Sequence, residues 1–180
     1  MILIINICKE RLHYLEFVKP ICDILDLNGI KYSVRNYTLV NNNDLEKCSK
    51  VIICGTSLYD NEFVSHIDKL KWILDFRKPI LGICGGMQII GLLYGGKLKK
   101  MSEIGYYYEE FTEEFLGILG NNQVYHLHNN YVYFNKLPEF DIFCGKEIPQ
   151  AVKHKKKEIY GVLFHPEVRQ KGLIVNFCKL

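Results

Sequence analysis

Apolar positions along the chain follow two regimes that change near residue 96. Up to that point, short runs that are apolar throughout alternate with stretches of helical spacing. Residues 1–7 (MILIINI), 30–37, 51–54 and 79–83 predict strands. Between them, Leu15, Val18, Cys22 and Leu25 recur about once per helical turn, as do Ile67, Leu70, Ile73 and Leu74. Residues 87–94 predict a third, apolar helix. Pro20 falls inside the first helical pattern, so it sits near a first turn or marks a kink, and Asn28-Gly29 matches a helix end. Strands that are hydrophobic along their whole length and joined by helices imply a parallel sheet covered on both faces.

Beyond residue 96 the segments near 105–112, 122–127, 131–135, 140–144, 149–154 and 159–164 are short and rich in Tyr, Phe and Val. Gly120-Asn121-Asn122, Asn129-Asn130, Pro138 and Gly145 punctuate them as turns. They predict antiparallel strands added to the sheet, followed by a helix near 171–179. There is neither an internal repeat nor a linker, so residues 1–180 read as a single α/β domain: an open, mostly parallel sheet with helices on both faces and antiparallel strands in the C-terminal half.

Composition narrows this little. The chain has 180 residues, 48 % hydrophobic and 24 % charged, with a net charge of +3. That balance excludes disorder and gives no signal for nucleic acid or a membrane surface. The one membrane-like run, residues 79–96, is broken by glycines and reads as strand, turn and helix. Seven cysteines, an odd number with no C-x-x-C pair, argue against a disulfide framework and for a reducing compartment, the cytoplasm.

Two constellations carry candidate chemistry. The first is Gly82-Ile83-Cys84-Gly85-Gly86-Met87-Gln88, where an apolar strand turns sharply into a helix. G-x-C-x-G is the thiol counterpart of a nucleophile elbow. The glycines permit the tight turn, and the turn lifts the sulfur beyond the carboxyl end of the sheet. The helix start aims free N–H groups and partial positive charge at it. The N–H of Gly85 is placed to receive a developing oxyanion. The alternative is a buried cysteine at a glycine-rich turn.

The second is Phe164-His165-Pro166-Glu167, directly after a strand. A histidine there can act as base, and a carboxylate two residues on can hold its other nitrogen. A turn capping the strand would look the same. His126 and His128 share one face of a strand, but no third ligand is visible, so no metal is expected. His154-Lys155-Lys156-Lys157 reads as a solvated hairpin turn. The aromatic run Tyr106-Tyr107-Tyr108, with Phe111 and Phe115, reads as sheet packing or an interface.

Taken together, the two constellations resemble the class I (triad) glutamine amidotransferases, through the elbow and through Tyr160-Gly161-Val162-Leu163-Phe164-His165-Pro166-Glu167-Val168. The likeness extends to Tyr94-Gly95-Gly96, to Glu103-Ile104-Gly105 and to Leu127-His128-Asn129-Asn130, and so covers nearly the whole chain. Among members, the pattern is most similar to the stand-alone glutaminase subunits of archaeal-type GMP synthases. The resemblance implies a flavodoxin-like fold and glutamine as substrate. It implies Cys84 as nucleophile, His165 as base and Glu167 as its orienting partner. Gln88, Asn129 and Asn130 would contact glutamine, and the backbone N–H groups of Thr56 and Gly85 would form the oxyanion hole. It further implies no cofactor in this chain, and a separate synthetase subunit that holds ATP and Mg and receives the ammonia.

The chain departs from the family at four places. Gly55-Thr56-Ser57 stands for Gly-Gly-Pro, Leu163 for Gln, and Asn130 for Asp. Cys8-Lys9-Glu10-Arg11 replaces the usual Gly-Ser or Gly-Gln segment. A partner-independent amidase acting on γ-glutamyl compounds, and a non-catalytic binding homologue, are the competing expectations.

Overall fold

The computed structural model describes residues 1–145 and 147–180. In chain order the strands are β1 (Ile2–Asn6), β2 (Tyr32–Asn36), β3 (Lys50–Ile53), β4 (Ile80–Ile83), β5 (Leu98–Phe115), β6 (Ile118–Val132), β7 (Phe140–Cys144), β8 (Ala151–His154) and β9 (Ile159–Val162). The helices are α1 (Arg11–His13), α2 (Lys19–Leu27), α3 (Asn42–Lys47), α4 (Glu62–Ser65), α5 (Trp72–Asp75), α6 (Gly85–Leu93) and α7 (Lys171–Lys179). A π-helical turn, Tyr14–Val18, joins α1 to α2, and Pro20 follows it at the start of α2, where its missing N–H costs least.

Seven strands form one sheet in the order β2-β1-β3-β4-β9-β8-β7. The first five are mutually parallel, and β8 and β7 complete the sheet antiparallel. The period-two alternation of strand side chains splits the core into two layers. Ile2 and Ile4 of β1 pack toward α2 and α7 with Ile52, Leu81 and Phe177. Leu3 and Ile5 pack toward α6 with Val51, Ile80, Ile73 and Ile90. Burying both faces is why these strands carry no polar alternation. The connections reverse direction at β1, and sheets of this order bind ligands beyond the carboxyl ends of their strands. Among the described residues, no helix is long and apolar enough to cross a membrane.

The second half differs from the expected arrangement in three ways. β5 and β6 do not join the main sheet but form a separate two-stranded ribbon. Phe111, Phe115 and Val124 of this ribbon are buried in the core, while Tyr106 and Tyr108 are exposed. The ribbon turns at Leu116-Gly117, both at positive φ (50° and 85°), whereas Gly120-Asn121-Asn122 and Asn129-Asn130 lie within β6. Asn176 of α7 donates to the Leu116 carbonyl at 3.0 Å, which ties the tip to the body of the fold. Finally, β9 runs parallel to β4, not antiparallel.

Candidate active site

Cys84 ends β4 and caps α6 with φ 48° and ψ −105°. Such a conformation in a residue bearing a Cβ stores about 1–3 kcal/mol of strain. The helix can start there only because its neighbours lack side chains. A Cβ on Gly82 would lie 2.6 Å from the Gly86 carbonyl, and one on Gly86 would strike the Ile53 carbonyl oxygen. α6 therefore sits directly on β3 and β4, with Gly85 as its first residue.

His165 follows β9. Its backbone N–H donates to the Tyr125 carbonyl at 2.8 Å, and its ring Nδ1 lies 2.7 Å from Glu167 Oε1. Both side chains are buried. Phe17, presented by the π-helical turn, packs on the imidazole with ring centres 5.4 Å apart. Burial disfavours the imidazolium, but the Glu167 charge and the adjacent Cys84 sulfur outweigh it, so His165 is raised well above the ordinary histidine range. The other six thiols are raised as well, in each case first of all by burial, Cys8 and Cys178 to about 11. They are small core groups, not nucleophiles.

Gly55, at the end of β3, makes room for the Cys84–His165 approach. A Cβ there would lie 2.7 Å from His165 Cε1 and 3.3 Å from Cys84 Cβ. Gly55→Ala should displace the imidazole and lower kcat about 10²-fold, the usual scale for an ångström of misplacement. A steady-state assay beside a melting curve checks this, since KM and fold should change far less.

Thr56 is buried, and its hydroxyl donates to Asp60 Oδ2 at 2.7 Å. The Lys9 N–H donates to the same oxygen at 2.7 Å, and His13 Nδ1 lies 3.7 Å away. Thr56 is not among the three non-glycine residues at positive φ in the described chain, so a β-branched residue fits this loop. Asp60 thus joins the loops after β1 and β3. No local pattern announces it, because its partners lie up to 51 positions away. Asp60→Ala should loosen the Thr56 N–H and lower kcat by about 10–10², with KM little changed in the same assay.

Gln88, Asn129 and Asn130 line the same small cavity as Cys84. Gln88 Nε2 donates to the Asn130 carbonyl at 2.8 Å. Asn129 Nδ2 donates to the Leu58 carbonyl at 3.4 Å, and Asn130 Nδ2 to Asn61 Oδ1 at 3.3 Å. The Cys84 thiol donates to the Leu127 carbonyl at 3.7 Å. Residues 127–130 are thereby clasped to the 56–61 loop, and the cavity over Cys84 is only about 10 Å³. That is scarcely room for one water. The sequence-predicted residues are all assembled at one rim of the sheet, around this narrow cleft.

Comparison with known proteins places the chain in a family. Residues 13–173 match the family profile "Glutamine amidotransferase class-I". The chain is 36 % identical over 130 residues to the glutamine-hydrolyzing GMP synthase subunit of Methanocaldococcus jannaschii, covering 63 % of this chain and 68 % of that protein. Against the Methanococcus maripaludis C5 counterpart it is 36 % identical over 120 residues, which span 61 % of that protein's length. Among solved structures, a Thermoplasma acidophilum protein provisionally assigned as a GMP synthase subunit superposes with a TM-score of 0.86 at 22 % identity, over 99 % of this chain and 92 % of that one. A Thermotoga maritima glutamine amidotransferase gives 0.71 at 21 % identity, over 92 % and 75 %. The structural likenesses speak to the fold, and the profile, which spans most of the sequence, speaks to descent. The chain belongs to the class-I glutamine amidotransferase family.

Proposed function

We propose that this chain is the glutaminase subunit of a two-subunit amidotransferase, hydrolysing glutamine to glutamate and ammonia for a separate synthetase of the GMP synthase kind. The observation that carries this reading is the buried set of Cys84, His165 and Glu167 above the sheet's carboxyl rim. Cys84 Sγ attacks the side-chain amide carbon of glutamine while His165 takes the thiol proton. The tetrahedral oxygen is received by the N–H groups of Gly85 and Thr56. His165 returns the proton to the nitrogen, the C–N bond breaks and ammonia leaves, with a γ-glutamyl thioester remaining on Cys84. Water, deprotonated by His165, then attacks the thioester, releasing glutamate and regenerating the thiol. Glu167 holds the imidazole and stabilises its cationic form. Gln88, Asn129 and Asn130 would grip glutamine once the roof opens. None of these steps calls for a cofactor in this chain, and ATP and Mg would belong to the synthetase. Seven free thiols suit the cytoplasm.

The narrow cleft over Cys84 favours a partner-gated enzyme over a free-standing γ-glutamyl amidase. To seat glutamine against the sulfur, residues 127–130 would part from the 56–61 loop, and docking energy can drive such an opening. The expected result is slow glutamate release by the isolated chain, rising at least tenfold when the cognate synthetase is added with ATP, Mg and its acceptor. An isolated chain that hydrolyses γ-glutamyl amides at full speed would favour the free-standing amidase. Synthetase binding without hydrolysis would favour a non-catalytic homologue.

A further inference from the structure

The inner face of the β5–β6 ribbon holds a polar cluster that hydrolysis of glutamine does not use. His126 and His128 of β6 are almost completely buried, with relative exposures of 0 % and 2 %. Glu103 of β5 stands opposite His128 in the ribbon register, and His126 stands opposite Gly105. Glu103 Oε2 lies 2.9 Å from His128 Nε2 and 3.8 Å from His126 Nδ1. One donor atom from each of the three residues falls within 4.8 Å of the others.

Two features set this cluster apart from an ordinary hydrogen-bonded histidine pair. All four imidazole nitrogens are buried without an aligned hydrogen bond, although buried polar atoms are nearly always satisfied. Glu103 and a second carboxylate, Glu109, also sit at the cluster. Among the described residues their ion-pair contacts are to histidines alone, with no lysine or arginine. Two largely buried carboxylates and two imidazoles thus face one another.

We propose that Glu103, His126 and His128 bind one divalent transition-metal ion of the zinc type, through Glu103 Oε2, His126 Nδ1 and His128 Nε2. Imidazole and carboxylate donors suit such an ion, and metal–ligand bonds of about 2.0–2.1 Å put tetrahedral ligand atoms about 3.4 Å apart. The separations of 2.9 and 3.8 Å bracket that edge. Outer contacts that orient two of the three ligands, His126 and Glu103, are also present. Glu109 Oε1 lies 3.3 Å from His126 Nε2, the nitrogen left free by coordination. Gln150 Nε2 donates to Glu103 Oε2 at 2.7 Å. Such partners fix the imidazole tautomer and the carboxylate rotamer. Gly105 keeps the space opposite His126 clear of a side chain.

The ion would lie directly behind the roof of the thiol. His126 and His128 alternate along β6 with Tyr125 and Leu127, whose carbonyls accept from the His165 N–H and the Cys84 thiol. A metal there would lock the strand on which both contacts depend.

The test uses untagged full chain, stripped with chelator and titrated with Zn²⁺ in a competition assay and with Co²⁺ by absorption. The expected result is one saturable site, with Co²⁺ ligand-field bands of a four- or five-coordinate centre and no thiolate charge-transfer band. The melting temperature should rise with Zn²⁺. His128→Ala should abolish the site, and Glu109→Gln should weaken it about 10–100-fold. Absence of saturable binding, unchanged binding in His128→Ala, or a thiolate band placing the ion on cysteine would each overturn the proposal. Should His128→Ala fail to fold, ¹⁵N spectra of the wild-type imidazoles decide. Nδ1 of His126 and Nε2 of His128 must lose proton character with Zn²⁺, and retention of both protons at saturating Zn²⁺ would equally overturn it.

Discussion

Cys84→Gly is expected to give a protein that is inactive and yet more stable than the wild type. Loss of the sulfur removes the proposed nucleophile beside His165, so glutamine hydrolysis should fall on the order of 10⁶-fold, toward the background left by binding and oxyanion contacts. At the same position glycine adopts φ 48° freely. Relief of about 1–3 kcal/mol of strain exceeds the roughly 0.5–1 kcal/mol by which glycine's looser unfolded chain opposes it. For a chain of this size each kcal/mol moves the midpoint by about 2–4 °C, so calorimetry should find a higher melting temperature. A lower one would mean that the elbow is not strained in solution. Cys84→Ser keeps the strain and nearly the shape, and it should lose activity without gaining stability. With the synthetase present, a glutamine-like diazo ketone should modify the wild type at Cys84. Labelling that persists in Cys84→Ser would defeat the assignment of the nucleophile.

Glu167→Gln should cost about 10³–10⁴ in kcat while leaving the fold intact. The amide can occupy the same space, but it cannot stabilise the imidazolium and can favour the wrong tautomer. It also removes the leading cause that raises His165, so the histidine should titrate at lower pH in the variant. The stability consequence has a definite sign. A histidine whose folded value lies above its unfolded one stabilises the fold fully below the unfolded value, near 6.5. That stabilisation is lost as pH rises through the folded value. Wild type should therefore exceed Glu167→Gln in stability most clearly at mildly acidic to neutral pH, and the gap should narrow in alkali. Denaturant midpoints across this range, together with the His165 ring signals, provide the check. A gap that widens with pH would contradict the pairing.

The candidate site is legible in the sequence because each half of it is local. The elbow needs seven consecutive residues, and His165 and Glu167 are two apart. The first strands and helices were legible for a related reason: a doubly buried strand such as β1 or β3 has no polar positions to confuse its period. What escaped were contacts between distant segments. An alternating aromatic stretch announces a strand but not its neighbour, so β5 and β6 looked like additions to the main sheet. The ribbon turn was missed because Leu116 is an unusual residue at positive φ, while Gly120-Asn121-Asn122 has turn composition inside a strand. β9 looked antiparallel because the strands before it were. Asp60 and the role of Gly55 appear only when loops from three strands meet. Glu103 was visible as part of an E-x-G stretch, but nothing in the sequence placed it opposite His128.

The tight roof over Cys84 bears on more than substrate entry. Cys84 is only 3 % exposed beneath this narrow cleft, so it meets little dissolved peroxide, which attacks thiolates that solvent can reach. Exposure rises with opening, so, on the proposed function, oxidative ageing of Cys84 should track turnovers completed more than time elapsed. A resting pool of the chain is in this sense self-preserving, and damage accumulates in the molecules at work.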